Sequence, residues 1–230
     1  MKIAGVVFDK DGTLFDFNAT WGAWTRRMLE SETDDPATLA RLAQVLGYDL
    51  DAARFDPGSI VIAETIDVVA DVIVGVLPDV EKGPLMARMA QQSADVPQVP
   101  VGDLQATMAA LKAFGLRLGI ATNDNEAPAR ANVAQAGIVD VFDMILGADS
   151  GFGGKPATGQ LDQFCALTGL APANCLMVGD SLHDLHAGQA AGMIPVGVLT
   201  GPATRETLAP HAVVVLSSIV ELPDWIASIA

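Results

Sequence analysis

Val6-Val7-Phe8-Asp9-Lys10-Asp11-Gly12-Thr13-Leu14 is the stretch on which the fold turns. Its apolar start, reached from Ile3, makes a short buried strand, and two aspartates one residue apart stand at the carboxyl end. In extended backbone, residues two apart project to the same side, so Asp9 and Asp11 can approach one point. Neighbouring carboxylates repel, and a hard cation that prefers oxygen ligands, such as Mg²⁺, would relieve the repulsion. Gly12 lets the chain turn away sharply. Alternation points Lys10 away from both aspartates, toward local packing or a contact with the cap segment of the chain. Two aspartates at a strand exit are equally an ordinary polar turn. An EF-hand loop is excluded, because Thr13 stands where that loop needs Asp or Asn and Gly12 comes too early.

Outward from this strand, apolar runs end at Ala121, Leu146, Val178 and Leu199, and a sixth spans Ala212 to Leu216. Helical patterns separate most of them, which is the rhythm of βα units around a parallel sheet and predicts the α/β class. Helices are expected over 103–114, with Asp103 as cap and Gly115 as stop, and over 126–136, 158–168 and 183–191. The rhythm fails between about Phe17 and Val99, where helices are expected at 19–30, 36–46, 65–76 and 80–92 without a βαβ crossover. An inserted helical module accounts for this. The expected division is a core of residues 1–16 and 100–230 with a cap of residues 17–99, rejoined through the stiff segment Val96-Pro97-Gln98-Val99-Pro100.

Composition excludes several classes of function. The 230 residues are 50% hydrophobic and 18% charged, too apolar for a disordered chain. A formal charge of −15 repels phosphate backbones and anionic lipid, so no nucleic-acid or membrane partner is expected. Residues 15–99 hold 14 acids and 6 bases and the rest hold 14 and 7, so the acidity is general. Cys165 and Cys175 form neither a CxxC pair nor a Cys/His cluster, and a reducing cytoplasm is the expected location. The apolar run after Met1-Lys2 is too short for a signal sequence. The stretch Ile60 to Leu77 reads as one amphipathic helix with Glu64, Asp67 and Asp71 on a single face, not as a membrane span.

The full string Val6 to Leu14 resembles the signature of the haloacid-dehalogenase-like hydrolase superfamily, and three further matches follow in order. They are Leu118-Gly119-Ile120-Ala121-Thr122-Asn123, then Gly154-Lys155-Pro156, then Leu176-Met177-Val178-Gly179-Asp180-Ser181-Leu182-His183-Asp184. The resemblance implies a Rossmann-like parallel-sheet core and a Mg²⁺-dependent phosphatase acting on a small phosphorylated metabolite. It implies that Asp9 attacks phosphorus to form an aspartyl-phosphate, and that Asp11 protonates the leaving oxygen and later activates water. It also assigns Mg²⁺ to Asp9, the Asp11 carbonyl, Asp180 and Asp184, and phosphate binding to Thr122, Asn123 and Lys155. Gly154-Lys155 is not a Walker loop, because Asp149 and Pro156 stand where Gly and Ser or Thr are required.

Asp11 narrows the implied chemistry further. Dehalogenase members lack an acid at that place and phosphonatases carry Ala, which leaves phosphate esters, with phosphoglycolate as leading substrate by the Leu14-Phe15-Asp16 hinge and cap placement. The alternatives are a phosphomutase, against which Thr13 leans, and a catalytically silent binding protein on the same fold. Within the cap, Trp21 and Trp24 share a helical face and are expected to pack its interior, while Arg26 or Arg54 could meet a substrate carboxylate. His183 and His186 are expected on an exposed helix face rather than on a metal.

Overall fold

Strand β1 (Gly5–Phe8) is buried along its whole length because it lies inside a sheet covered on both faces. The computed structural model describes residues 2–62, 64–93 and 96–229. After β1 come α1 (Phe17–Glu32), α2 (Pro36–Leu46), β2 (Tyr48–Asp49), β3 (Arg54–Phe55), α3 (Ile66–Val76) and α4 (Lys82–Ser93). Then follow α5 (Leu104–Ala113), β4 (Arg117–Ala121), α6 (Glu126–Gln135), β5 (Met144–Leu146), α7 (Gly159–Thr168) and β6 (Cys175–Gly179). The chain closes with α8 (Leu182–Ala190), β7 (Ile194–Val198), α9 (Arg205–Leu208), β8 (Val214–Leu216) and α10 (Leu222–Ile229).

Six strands run parallel in the order β5-β4-β1-β6-β7-β8. The chain steps from β1 outward through β4 to β5, then returns past β1 to β6. Strand order therefore reverses beside β1, and at such a point an open α/β sheet holds its ligand crevice beyond the carboxyl ends. Alternation along β1 divides its side chains between two layers. Val6 and Phe8 join Leu118, Leu176, Met108 of α5 and Leu222 of α10, whereas Val7 meets Phe164 of α7 and Ala187 of α8. Each of these Val, Leu, Met or Phe side chains taken fully from water contributes about 1.5–3 kcal/mol.

Helices α1 to α4 enclose a separate apolar cluster drawn from residues 17–89, in which Leu29, Leu42, Leu46, Ile73 and Leu85 are fully buried. The ends of α2 are those its sequence signals: the Asp35 carboxylate accepts the Thr38 N–H at 2.9 Å, and Gly47 closes the helix at φ 63°. Two details differ from expectation. Strands β2 and β3 form a small antiparallel hairpin, held by the Tyr48 hydroxyl donating to Gly22 O at 2.6 Å and by Phe55 set edge-on to Phe17. The stretch Ile60 to Leu77 is not one helix. A 3₁₀ turn covers Ile60–Ile62 and Thr65 caps α3, so Glu64 precedes the helix, while Asp67 and Asp71 grip Lys82 Nζ at 3.0 and 2.7 Å.

The two crossings between cluster and sheet run side by side. Asp16 N–H donates to Val99 O at 2.8 Å, Val101 N–H donates to Leu14 O at 3.0 Å, and Phe15 and Pro100 form an antiparallel bridge. Among the described residues, no helix is long and apolar enough to cross a membrane.

Candidate active site

Past Phe8 the chain folds into a turn in which Leu14 and Phe15 return their N–H groups to Lys10 O. Gly12 sits at φ 84°, and a Cβ there would lie 2.5 Å from Asp180 Cγ, so backbone and space both demand glycine. Asp180 leaves the end of β6, and Asp184 lies in the first turn of α8. Ser181 caps that helix, and its N–H and hydroxyl donate to Asp184 Oδ2 at 3.0 and 2.7 Å. A Cβ on Gly179 would overlap the Asp184 carboxylate, and one on Gly201 would overlap that of Asp180. The sequence thus clears a cradle around two carboxylates.

Lys155 reaches into this cradle from the loop before α7. Asn123 clamps its backbone, accepting the Lys155 N–H at 2.7 Å and donating to Lys155 O at 2.9 Å. Lys155 Nζ then donates to Asp9 Oδ1 at 2.6 Å and to Asp184 Oδ1 at 2.5 Å. Thr122, just beyond β4, is buried, and its Oγ1 accepts the Asp124 N–H at 3.1 Å. Asp9, Asp11, Thr122, Asn123, Lys155, Asp180 and Asp184 all line one cavity of about 140 Å³.

Carboxylate oxygens of Asp9, Asp180 and Asp184 lie within 4.8 Å of one another, and all three residues are buried. Burial pushes the Asp9 carboxyl up to about 7, against the pull of Lys155 and with help from Asp184 and Asp11. Burial, then Asp9 and Asp184, hold Asp180 well above the ordinary carboxylate range. Burial alone would lower Lys155, but Asp184 and Asp9 outweigh it and hold its ammonium above the usual value. One ammonium does not offset three carboxylates, and Asp180 Oδ2 is buried without a hydrogen-bond partner. Clustered oxygens, excess negative charge and an unpartnered carboxylate oxygen suit a hard divalent cation, so this group could hold a metal ion.

Asp11 stands slightly apart and carries two contacts that the sequence reading did not give it. Trp21 Nε1 donates to its Oδ1 at 2.7 Å, so this tryptophan both packs against the helical cluster and faces the site. Lys10 does not point away. Its fully buried ammonium lies 2.6 Å from Asp11 Oδ2 and 3.2 Å from Asp124 Oδ2, and it donates to Asn132 Oδ1 at 3.2 Å. The turn after β1 rotates Lys10 out of the strand's alternation. A signal was present, since a lysine within an apolar motif must find partners if it is buried.

The arginines named for a substrate carboxylate lie elsewhere. Arg26 is exposed, pairs with Glu30 at 2.9 Å and donates to Leu50 O at 2.7 Å, while Arg54 is exposed on β3, and neither is in the cavity lining. The histidines do not share one free face. His186 meets His211 at 3.2 Å, whereas His183 lines the cavity, 3.9 Å from Glu64 across the gap between α8 and the segment before α3.

Fold and site together define an α/β protein with a metal-capable acidic centre at the carboxyl edge of a parallel sheet. The chain matches the haloacid dehalogenase-like hydrolase family over residues 3–192 and belongs to that family. A phosphoglycolate phosphatase from Neisseria meningitidis is 36% identical over 127 residues, covering 55% of this chain and 51% of the relative. One from Xylella fastidiosa is 29% identical over 201 residues, covering 87% and 82%. The chain spans about half the length of the curated relatives it matches first. In fold it is similar to the crystal structure of a predicted phosphoglycolate phosphatase from Haemophilus somnus, with a TM-score of 0.76, 19% identity, and coverage of 98% of this chain and 99% of the other.

Proposed function

We propose that the chain is a Mg²⁺-dependent phosphatase that hydrolyses a small phosphate monoester through an aspartyl-phosphate on Asp9. The supporting observation is the cradle in which Asp9, Asp180 and Asp184 converge on one point with Lys155 as their shared cation. We read residues 1–16 and 100–230 as the catalytic core and residues 17–99 as an inserted cap, each with its own apolar interior.

Asp9 supplies the attacking carboxylate oxygen and, with Asp180 and the Asp11 carbonyl, would hold Mg²⁺. That ion would neutralise charge on the phosphoryl oxygens and keep Asp9 ionised near neutral pH. Both oxygens of Asp184 already have protein partners, Lys155 on one and Ser181 on the other, so its part is to fix the lysine and to meet the metal through Oδ1 or through water. Lys155 and Thr122 hold the phosphoryl oxygens, and Asn123 aims Lys155. Asp11 gives its proton to the leaving oxygen and later takes one from the water that hydrolyses the acyl-phosphate.

Phosphate release should be measured from a panel of esters headed by phosphoglycolate, the compound in the relatives' names, with Mg²⁺ or EDTA. Asp9→Asn is nearly isosteric and should lower turnover roughly 10³-fold or more while leaving the fold intact by circular dichroism. Activity indifferent to chelator, or retained by Asp9→Asn, would overturn the mechanism.

A further inference from the structure

On the cap side, the cavity wall is mainly apolar, with Trp21, Trp24, Val61, Ile62 and Ile66 all half-buried and Thr25 and Ser93 as its hydroxyls, in the same cavity that the carboxylates line. Among the described residues, Lys155 is the only Lys or Arg in the lining, and it is committed to Asp9 and Asp184. The five residues outside the described set are Met1, Ala63, Ala94, Asp95 and Ala230, and none is basic. The charged side chain that the cap segment does bring to this wall is Glu64, a carboxylate.

Resting on the phosphatase reading, we infer that the substrate is the phosphate monoester of an uncharged, apolar-bodied alcohol, and that a leaving group carrying its own carboxylate, as phosphoglycolate does, is disfavoured. A second anion placed against this wall would lose its hydration with no lysine or arginine to meet it, and Glu64, which stands 3.9 Å from His183, the one imidazole of the lining among the described residues, would repel it. An uncharged body gains instead from the indole and aliphatic surfaces. Its size is bounded too. A dry cavity of about 150 Å³ accommodates benzene, and the 140 Å³ here, lined by the carboxylates as well as the apolar wall, must hold the phosphoryl group too, which favours a small body that reaches toward the open side.

The test is kcat/KM of the full chain with Mg²⁺ for ethyl, propyl, butyl and benzyl phosphate against 2-phosphoglycolate, read as phosphate release. Benzyl phosphate should exceed phosphoglycolate by at least tenfold, and the alkyl series should rise by roughly fourfold per methylene. Glu64→Gln should shift the ratio toward phosphoglycolate by about threefold, the Coulomb effect of one partly solvated charge. Ile66→Arg should shift it much further by adding the missing cation. Phosphoglycolate turned over as well as or better than benzyl phosphate would overturn this inference while leaving the phosphatase reading intact. Release from none of the esters would overturn both.

Discussion

Lys10 places a fully buried ammonium between Asp11 and Asp124 and beneath the Trp21 ring, whose centroid is 5.6 Å away. Burial would lower its pKa, but Asp11 and Asp124 outweigh that and raise it, so the residue is charged. Removing one member of a buried ionic group leaves the others unpaired at a cost of about 3–5 kcal/mol. Asp11 and Asp124 keep partial access to solvent, with side-chain exposures of 16% and 31%, which reduces the penalty. Lys10→Met should therefore destabilise the chain by about 2 kcal/mol in urea unfolding, and an unchanged midpoint would show that the ammonium holds nothing. The sequence marks Lys10 as unusual but cannot name its partners. One of them, Asn132, is 122 positions away.

At the level of elements, α8 carries the site because its first turn is built as a capping box. Ser181→Ala removes the hydroxyl that donates to Asp184 Oδ2 at 2.7 Å, and loss of such a cap costs about 1 kcal/mol. Asp184 Oδ2 would then keep only the Ser181 backbone N–H, and the Mg²⁺ concentration giving half-maximal activity should rise about tenfold, as for the loss of a hydrogen-bond partner behind a metal ligand. A magnesium titration unchanged by the substitution would contradict the coupling. What could be read in advance follows the range of each signal. Asp35, Gly47 and the motif at 6–14 act within a few residues, so their elements stand where expected. The hairpin of β2 and β3 was illegible because it depends on Tyr48 reaching Gly22, a tertiary contact. Periodicity put Trp21 and Trp24 on one face, and they do meet edge-on with ring centroids 5.4 Å apart, yet it could not say that Trp21 also reaches Asp11.

For the whole molecule, the acidic cradle sets how stability responds to pH. Asp9 has a folded pKa of about 7 against an ordinary 3.8, so between these values the folded state binds a proton that the unfolded state has released. Its contribution to stability is fully present below pH 4 and is lost as pH rises through 7, and the raised Asp180 acts in the same direction. In EDTA the melting temperature should fall from pH 5 to pH 8, corresponding to a few kcal/mol, and saturating Mg²⁺ should reverse the fall. A metal-free melting temperature that climbs over this range would contradict the charge excess assigned to the site.

The pairing of Phe15 with Pro100 has a consequence for how such a chain can change over generations. Topologically, the chain from Asp16 to Val99 is a loop closed by one short antiparallel stem, whose Leu14, Phe15 and Val101 pack into the core beside the sheet. Closing a loop costs only about 0.6 kcal/mol more for each doubling of its length. The loop can therefore lengthen, shorten or be exchanged as a cassette without disturbing the stem. Asp9 and Lys155 stay on the sheet side of that stem, while Trp21, Trp24, Val61, Ile62 and Ile66 travel with the cassette. On the phosphatase reading proposed above, trading the loop exchanges what faces the substrate and leaves the acidic cradle untouched.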